Sequence, residues 1–141
     1  MMGDRHGRLP TVLFLCVHNA GRSQMAAAWL EHLGGGRVRV LSGGSTPASE
    51  VNPVAVAAMA EVGIDLSGRT PRAWTDAGLH SADVIVTMGC GDTCPFLPGK
   101  RYEDWEVSDP QGRPLQEVRL IRDDIERRVR GLLAGLGVEP T

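Results

Sequence analysis

Apolar positions along the chain alternate between two periodicities, and the alternation predicts the order of its elements. Thr11–Val17 (TVLFLCV) is a short continuous apolar run suited to a strand covered on both faces. From Ser23 the residues Met25, Ala26, Trp29, Leu30 and Leu33 recur at helical spacing until Gly34-Gly35-Gly36 stops the helix. Arg37–Leu41 alternates as a second strand, and Ser42–Asn52 reads as a Gly- and Pro-punctuated loop. Asn52 then caps a helix with Pro53 at its first position, presenting Val54, Ala57, Ala58 and Val62 and ending at Gly63. Thr75–His80 forms a short helical turn, Ala82–Met88 a third covered strand, and Lys100–Trp105 a fourth. Pro114 opens a last amphipathic helix carrying Val118, Ile121, Ile125, Val129, Leu132 and Leu136.

Strands alternating with amphipathic helices imply a single α/β domain: a four-stranded parallel sheet flanked by helices, joined by right-handed crossovers. Ligands of such sheets bind at the carboxyl ends of the strands. Cys16, Cys90 and Asp109 all follow predicted strands. The domain is expected over residues 11–137, with residues 1–10 as a disordered lead that lacks the apolar middle of a secretory signal. At 141 residues, 42% hydrophobic and 23% charged, the chain has the balance of a soluble domain, and no apolar run approaches the roughly 20 residues of a membrane span. A cytoplasmic monomer is expected. A formal charge of −2 with interspersed signs provides no footprint for nucleic acid or an anionic membrane.

Three cysteines, Cys16, Cys90 and Cys94, are too few for a disulfide framework and direct attention to thiol chemistry. Cys16 and Arg22 bracket five residues, and a helix begins directly after them. His18, Asn19, Ala20, Gly21, Arg22 and Ser23 can therefore curl as an anion-binding nest, with the positive end of the helix adding to its field. Arg22 offers a planar two-donor fork to a tetrahedral oxyanion. The same field favours the thiolate of Cys16, to which Ser23 can donate its hydroxyl. Gly21 is expected to supply a backbone conformation that a Cβ would resist. Asp109, fixed by Pro110 in a turn, offers a carboxyl that could face Cys16 across the cleft.

The segments FLCVHNAGRSQMAAAWL, SGGSTPASEVNP, Cys90–Pro95 and YEDWEVSDPQG together resemble the low-molecular-weight tyrosine phosphatase fold, and within it the cysteine-relay arsenate reductases, from about Thr11 to Leu133. The resemblance implies Cys16 as nucleophile, Arg22 as oxyanion clamp and Asp109 as general acid. It also implies a relay in which Cys90 attacks the Cys16 adduct and Cys94 then attacks Cys90, leaving a Cys90–Cys94 disulfide for thioredoxin, or a route in which a low-molecular-weight thiol such as mycothiol acts on the Cys16 adduct directly, with no bound cofactor.

A tyrosine phosphatase would begin with the same thiolate attack, so the loop cannot separate the two chemistries. Two observations favour the reductase. Cys90 and Cys94 supply thiols that a hydrolase does not need, and Asp109-Pro110 is followed by Gln111-Gly112 rather than by an aromatic substrate platform. Tyr102, Trp105 and Trp74 are the aromatic candidates for such a platform. An idle oxyanion-binding module would be expected to lack Cys16, Arg22 or Asp109, and all are present.

The relay spacing of Cys90 and Cys94 is shorter than relay reductases commonly show. Asn19, Ser42 and Asp65 could correspond to the monovalent-cation site of related reductases, but Ala27 stands where an acidic ligand would be expected, and Cys90 with Cys94 lacks two further zinc ligands nearby. No bound metal is expected.

Overall fold

In the computed structural model, which describes residues 9–91 and 94–141, the six residues of the first strand are all buried. This strand, β1 (Thr11–Cys16), lies between β2 (Arg39–Gly44) and β3 (Val84–Thr87), and β4 (Arg101–Asp104) completes a parallel sheet in the order β2-β1-β3-β4. Cys16 pairs with Gly44, and Leu15 with both Gly43 and Thr87, so the carboxyl ends of three strands converge beside the nucleophile candidate.

Side chains of β1 alternate between two cores because successive Cβ atoms point to opposite faces. Val12, Phe14 and Cys16 join the larger core with α1 (Arg22–Gly34), α2 (Pro53–Ala60) and α4 (Leu115–Gly135). Leu13 and Leu15 join a smaller one with Leu79 of α3 (Asp76–Ser81), Ile85 and Cys90. Cys16 and Cys90 thus begin on opposite faces of the sheet.

Helix boundaries follow local chemistry. Asn52 caps α2 by accepting from the Val54 amide at 2.9 Å, with Pro53 following as expected. Thr75 caps α3 through Gly78 at 2.9 Å. Gly35, in the left-handed region at φ 57°, closes α1. The long helix α4 buries Val118, Ile121, Ile125, Val129 and Leu132, the stripe that its periodicity predicted, while Leu136 is half-buried.

The second strand departs from expectation. It runs through Gly44 rather than ending at Leu41. A Cβ on Gly43 would lie 2.7 Å from the Trp74 backbone, and Gly44 exchanges hydrogen bonds with Arg72 and Trp74. Two glycines that read as a turn instead permit another segment to lie against the sheet, a tertiary contact that local pattern does not encode.

Most of the expected N-terminal lead, residues 1–8, lies outside the described residues; Pro10 is buried and its carbonyl accepts from the Arg39 amide at 2.8 Å. At the other end packing continues past Gly137: Val138 is buried and the Thr141 amide donates to Leu33. No helix among the described residues is long and apolar enough to cross a membrane.

Helix α4 is tied to the end of α2 by charge. Arg119 and Arg122 both bond Glu61, and Arg122 also donates to the Ala58 carbonyl at 2.9 Å. The hydrogen bonds from Arg119 and then Arg122 hold the Glu61 carboxyl down from 4.5 to about 2. A carboxylate depressed in the folded state stabilises above its unfolded value and loses that contribution as protons bind. Glu61→Gln is therefore expected to lower stability at neutral pH, measured by urea unfolding, and its difference from the parent should fade as pH falls from 4.5 towards 2.

Candidate active site

A cleft of about 370 Å³ opens at the carboxyl end of β1, lined on one side by Cys16, His18, Ala20, Gly21 and Arg22 and on the other by Asp109 and Pro110. The loop between Cys16 and Arg22 takes its shape from behind. Carbonyls of Val17, His18 and Ala20 accept from the amides of Thr46, Ala48 and Asn52 at 2.9, 3.0 and 2.8 Å. A trans peptide points its C=O and N–H in opposite directions, and no peptide here is cis. The amides of His18, Asn19 and Gly21 consequently face away from that segment, towards the concave side, as an oxyanion nest requires.

Asn19 carries the left-handed turn of the loop at φ 52°, a conformation asparagine tolerates better than most residues. Gly21 does not: its φ is −131°, and its lack of a side chain matters because a Cβ would stand 2.7 Å from Pro110 Cγ. Gly21 also stands outside the helical and extended regions, at ψ −86°, and its missing side chain allows the close approach between the loop and the Asp109-Pro110 turn. Gly44 plays a similar part below the loop, where a Cβ would meet the Val17 carbonyl oxygen at 2.6 Å.

Cys16 is buried to 3% exposure and free, and its sulfur lies 2.8 Å from Ser23 Oγ. Asn19 Nδ2 donates to the same oxygen at 2.7 Å, so the Ser23 hydroxyl hydrogen is available to the sulfur when Cys16 is a thiolate. Asn19 and Ser23 are wholly buried and sit beneath the loop, whereas His18, Ala20, Gly21 and Arg22 form the cleft wall.

Arg22 stands at the start of α1, one residue earlier than the expected helix start, and donates to the Val107 carbonyl at 3.3 Å. Its other terminal nitrogen is 3.6 Å from Asp109 Oδ2. Gly89, at φ 77°, gives the guanidinium room, since a Cβ there would collide with it. Asp109 is half-exposed across the cleft, with Oδ1 accepting from the Gln111 amide at 3.0 Å. The sequence pattern brought out Cys16, Arg22 and Asp109, which the fold gathers around one cleft. Gly44 and Gly89 were missed because their importance lies in what packs against them.

None of the aromatic candidates lines the cleft. Trp105 packs in the core 5.7 Å from Phe14, Trp74 packs against the smaller core, and the Tyr102 hydroxyl is bonded to the Leu97 amide. The rim instead carries Glu50, Gln111 and Gly112.

Cys90 and Cys94 form a disulfide with Cα atoms 5.4 Å apart. Cys90 is buried in the smaller core with its sulfur 3.9 Å from the Leu15 carbonyl, and Cys94 is partly exposed. Left-handed glycines, Gly89 and Gly91, flank Cys90. Among the described residues no group of three or more His, Cys, Asp and Glu is placed to hold a metal ion, and Asp65 is engaged by Ser67 at 2.6 and 2.8 Å. Those bonds lower its carboxyl's affinity for protons.

Residues 11–140 match the family model for low molecular weight phosphotyrosine protein phosphatases. A putative arsenate reductase of Halobacterium salinarum is 44% identical over 121 residues, 82% of this chain and 85% of that protein. The glutaredoxin arsenate reductase of a Synechocystis species is 38% identical over 126 residues, covering 87% and 95%. Among solved structures, the thioredoxin-dependent arsenate reductase of Corynebacterium glutamicum superposes with a TM-score of 0.77 at 43% identity, covering 91% of this chain; this chain spans 61% of that one. An arsenate reductase solved in its oxidized state gives a TM-score of 0.81 at 34% identity, covering 91% and 99%.

Arg22→Met should weaken binding of inorganic phosphate, followed by calorimetry, by roughly 10- to 150-fold, the equivalent of the ~1.5–3 kcal/mol of a charged hydrogen bond. Unchanged affinity would remove Arg22 from the anion site.

Proposed function

The chain belongs to the low molecular weight phosphotyrosine protein phosphatase family, and we propose that within it this protein is an arsenate reductase that works through a relay of its three thiols. The observation that carries the reading is the Cys90–Cys94 disulfide beside a free Cys16, the oxidised state in which such a relay ends. Relatives named as arsenate reductases over most of the chain support it.

The cycle begins with arsenate in the nest, two oxygens held by Arg22 and others by loop amides. The Cys16 thiolate, receiving the Ser23 hydroxyl's hydrogen bond, attacks arsenic while Asp109 protonates the departing oxygen, which leaves as water. Cys90 then attacks the Cys16 sulfur. The sulfur–arsenic bond breaks with its electron pair left on arsenic, so As(V) becomes As(III), arsenite departs, and a Cys16–Cys90 disulfide forms. Attack by Cys94 on Cys90 releases Cys16 as thiolate and produces the Cys90–Cys94 disulfide.

In this disulfide-bonded state Cys90 lies on the α3 face of the sheet, so in the proposed cycle the segment after β3 moves between the attack on Cys16 and the end state. Gly89 and Gly91, both at positive φ, are the positions able to absorb that change. Regeneration consumes two electrons from an external dithiol, which meets the disulfide at the more accessible Cys94. Thioredoxin is the proposed donor, since a related reductase is named as depending on it; the alternative is mycothiol, a single thiol that would act on the Cys16 adduct directly.

The deciding assay is NADPH oxidation with thioredoxin and thioredoxin reductase, run beside hydrolysis of an aryl phosphate. Arsenate should drive oxidation; Cys16→Ser should abolish both activities, and Cys94→Ser should abolish sustained oxidation while sparing slow aryl phosphate hydrolysis. Efficient hydrolysis with no arsenate-dependent oxidation, by thioredoxin or by mycothiol, would make the protein a phosphatase.

A further inference from the structure

Behind the oxyanion loop a file of buried polar side chains leads from the surface to Cys16. Its outer end is Arg69, whose Nη1 pairs with Glu31 at 2.7 Å and whose Nε donates to Gln24 Oε1 at 2.7 Å. Gln24, only 2% exposed, donates through Nε2 to Asn19 Oδ1 at 3.0 Å, with the Thr70 carbonyl 3.5 Å from the same nitrogen. Asn19 donates to Ser23, and Ser23 meets the Cys16 sulfur.

The direction of every link is set by groups that cannot reverse. A guanidinium has donors and no acceptor, so the side of the Gln24 amide facing Arg69 must be its oxygen, and its NH₂ must face Asn19. The Arg72 backbone amide, another obligate donor, reaches Asn19 Oδ1 at 3.0 Å and fixes that side chain in the same sense. The Asn19 NH₂ then occupies one acceptor site of Ser23 Oγ and turns the hydroxyl hydrogen away from Asn19; a Cys16 thiolate, which can only accept, receives that hydrogen. Turning the Gln24 amide would set its NH₂ against Arg69 and its oxygen against Asn19 Oδ1, and turning the Asn19 amide would set its NH₂ against the Arg72 amide and the Gln24 NH₂.

We propose that Gln24 and Arg69 are positioning residues which, through Asn19, hold the Ser23 hydroxyl as a donor to the Cys16 thiolate. The inference rests on Cys16 as the nucleophile and is independent of arsenate as its substrate. Gln24 supplies the directional link and Arg69 its anchor. Glu31, bound to the far side of the guanidinium and half-exposed, contributes charge but no link in the file.

The test measures alkylation of Cys16 by iodoacetamide as a function of pH in protein carrying Cys90→Ser and Cys94→Ser, where Cys16 is the sole thiol and no arsenate or reductant is present. Gln24→Met, neutral and of similar length, should slow alkylation at pH 7 about tenfold, with the difference closing at high pH where the sulfur is ionised in both proteins. That closure separates loss of a donor to the thiolate from a general loss of access. Glu31→Gln should alkylate at the parental rate. Should Gln24→Met fail to fold, Arg69→Gln, altered nearer the surface, should slow alkylation several-fold in the same pH-dependent way. Parental rates in the folded Gln24 or Arg69 variant, a slowing that persists at high pH, or an equal slowing by Glu31→Gln would overturn the proposal. Because no arsenate chemistry enters the assay, its failure leaves the reductase reading to be judged by the NADPH assay alone.

Discussion

The peptide groups of the oxyanion loop depend on having their carbonyls taken from behind. Val17, His18 and Ala20 give their oxygens to Thr46, Ala48 and Asn52, so the loop's amides are committed to the cleft before any ligand arrives. An anion entering this nest meets donors already aimed, and little reorganisation opposes binding or the development of charge during attack. The bracing segment can come so near only because Gly44 presents no Cβ to the Val17 carbonyl. The residues after β2 are therefore part of the site although they include no reacting group.

Beneath that frame the polar file from Arg69 leads inward to the Ser23 hydroxyl that meets the Cys16 sulfur. Loop shape and hydroxyl direction are separate problems solved by separate networks. Backbone bonds to residues 46–52 settle the first; buried amides with obligate donors at their outer end settle the second. They meet at Asn19, whose backbone makes the left-handed turn and whose side chain passes the donor direction inward. A residue serving both networks has little freedom to change without disturbing each.

The sheet imposes the other constraint on the chemistry. With the disulfide formed, Cys16 belongs to the face with α1, α2 and α4 and Cys90 to the face with α3, and the proposed relay would join them by movement of a short Gly-flanked segment. Separation keeps Cys16 free while Cys90 and Cys94 hold the disulfide. Arg22 lies against Gly89 at the base of that segment.

The element order, the parallel sheet, Cys16 and Arg22 were legible in the sequence because each is announced by local pattern: periodicity, capping residues, and reactive side chains placed around the end of a strand; Asp109 stood out through the family resemblance of its segment. The same pattern could not extend β2 through Gly43 and Gly44, place the left-handed turn at Asn19, or bring out Gln24 and Arg69. These features depend on contacts between segments distant along the chain, such as Gly44 with Val17, Gly21 with Pro110, and Arg69 with Gln24. Local sequence determines which backbone conformations and which chemistry are available; only the packed tertiary structure decides which atoms approach closely enough for a missing Cβ or a donor's direction to matter.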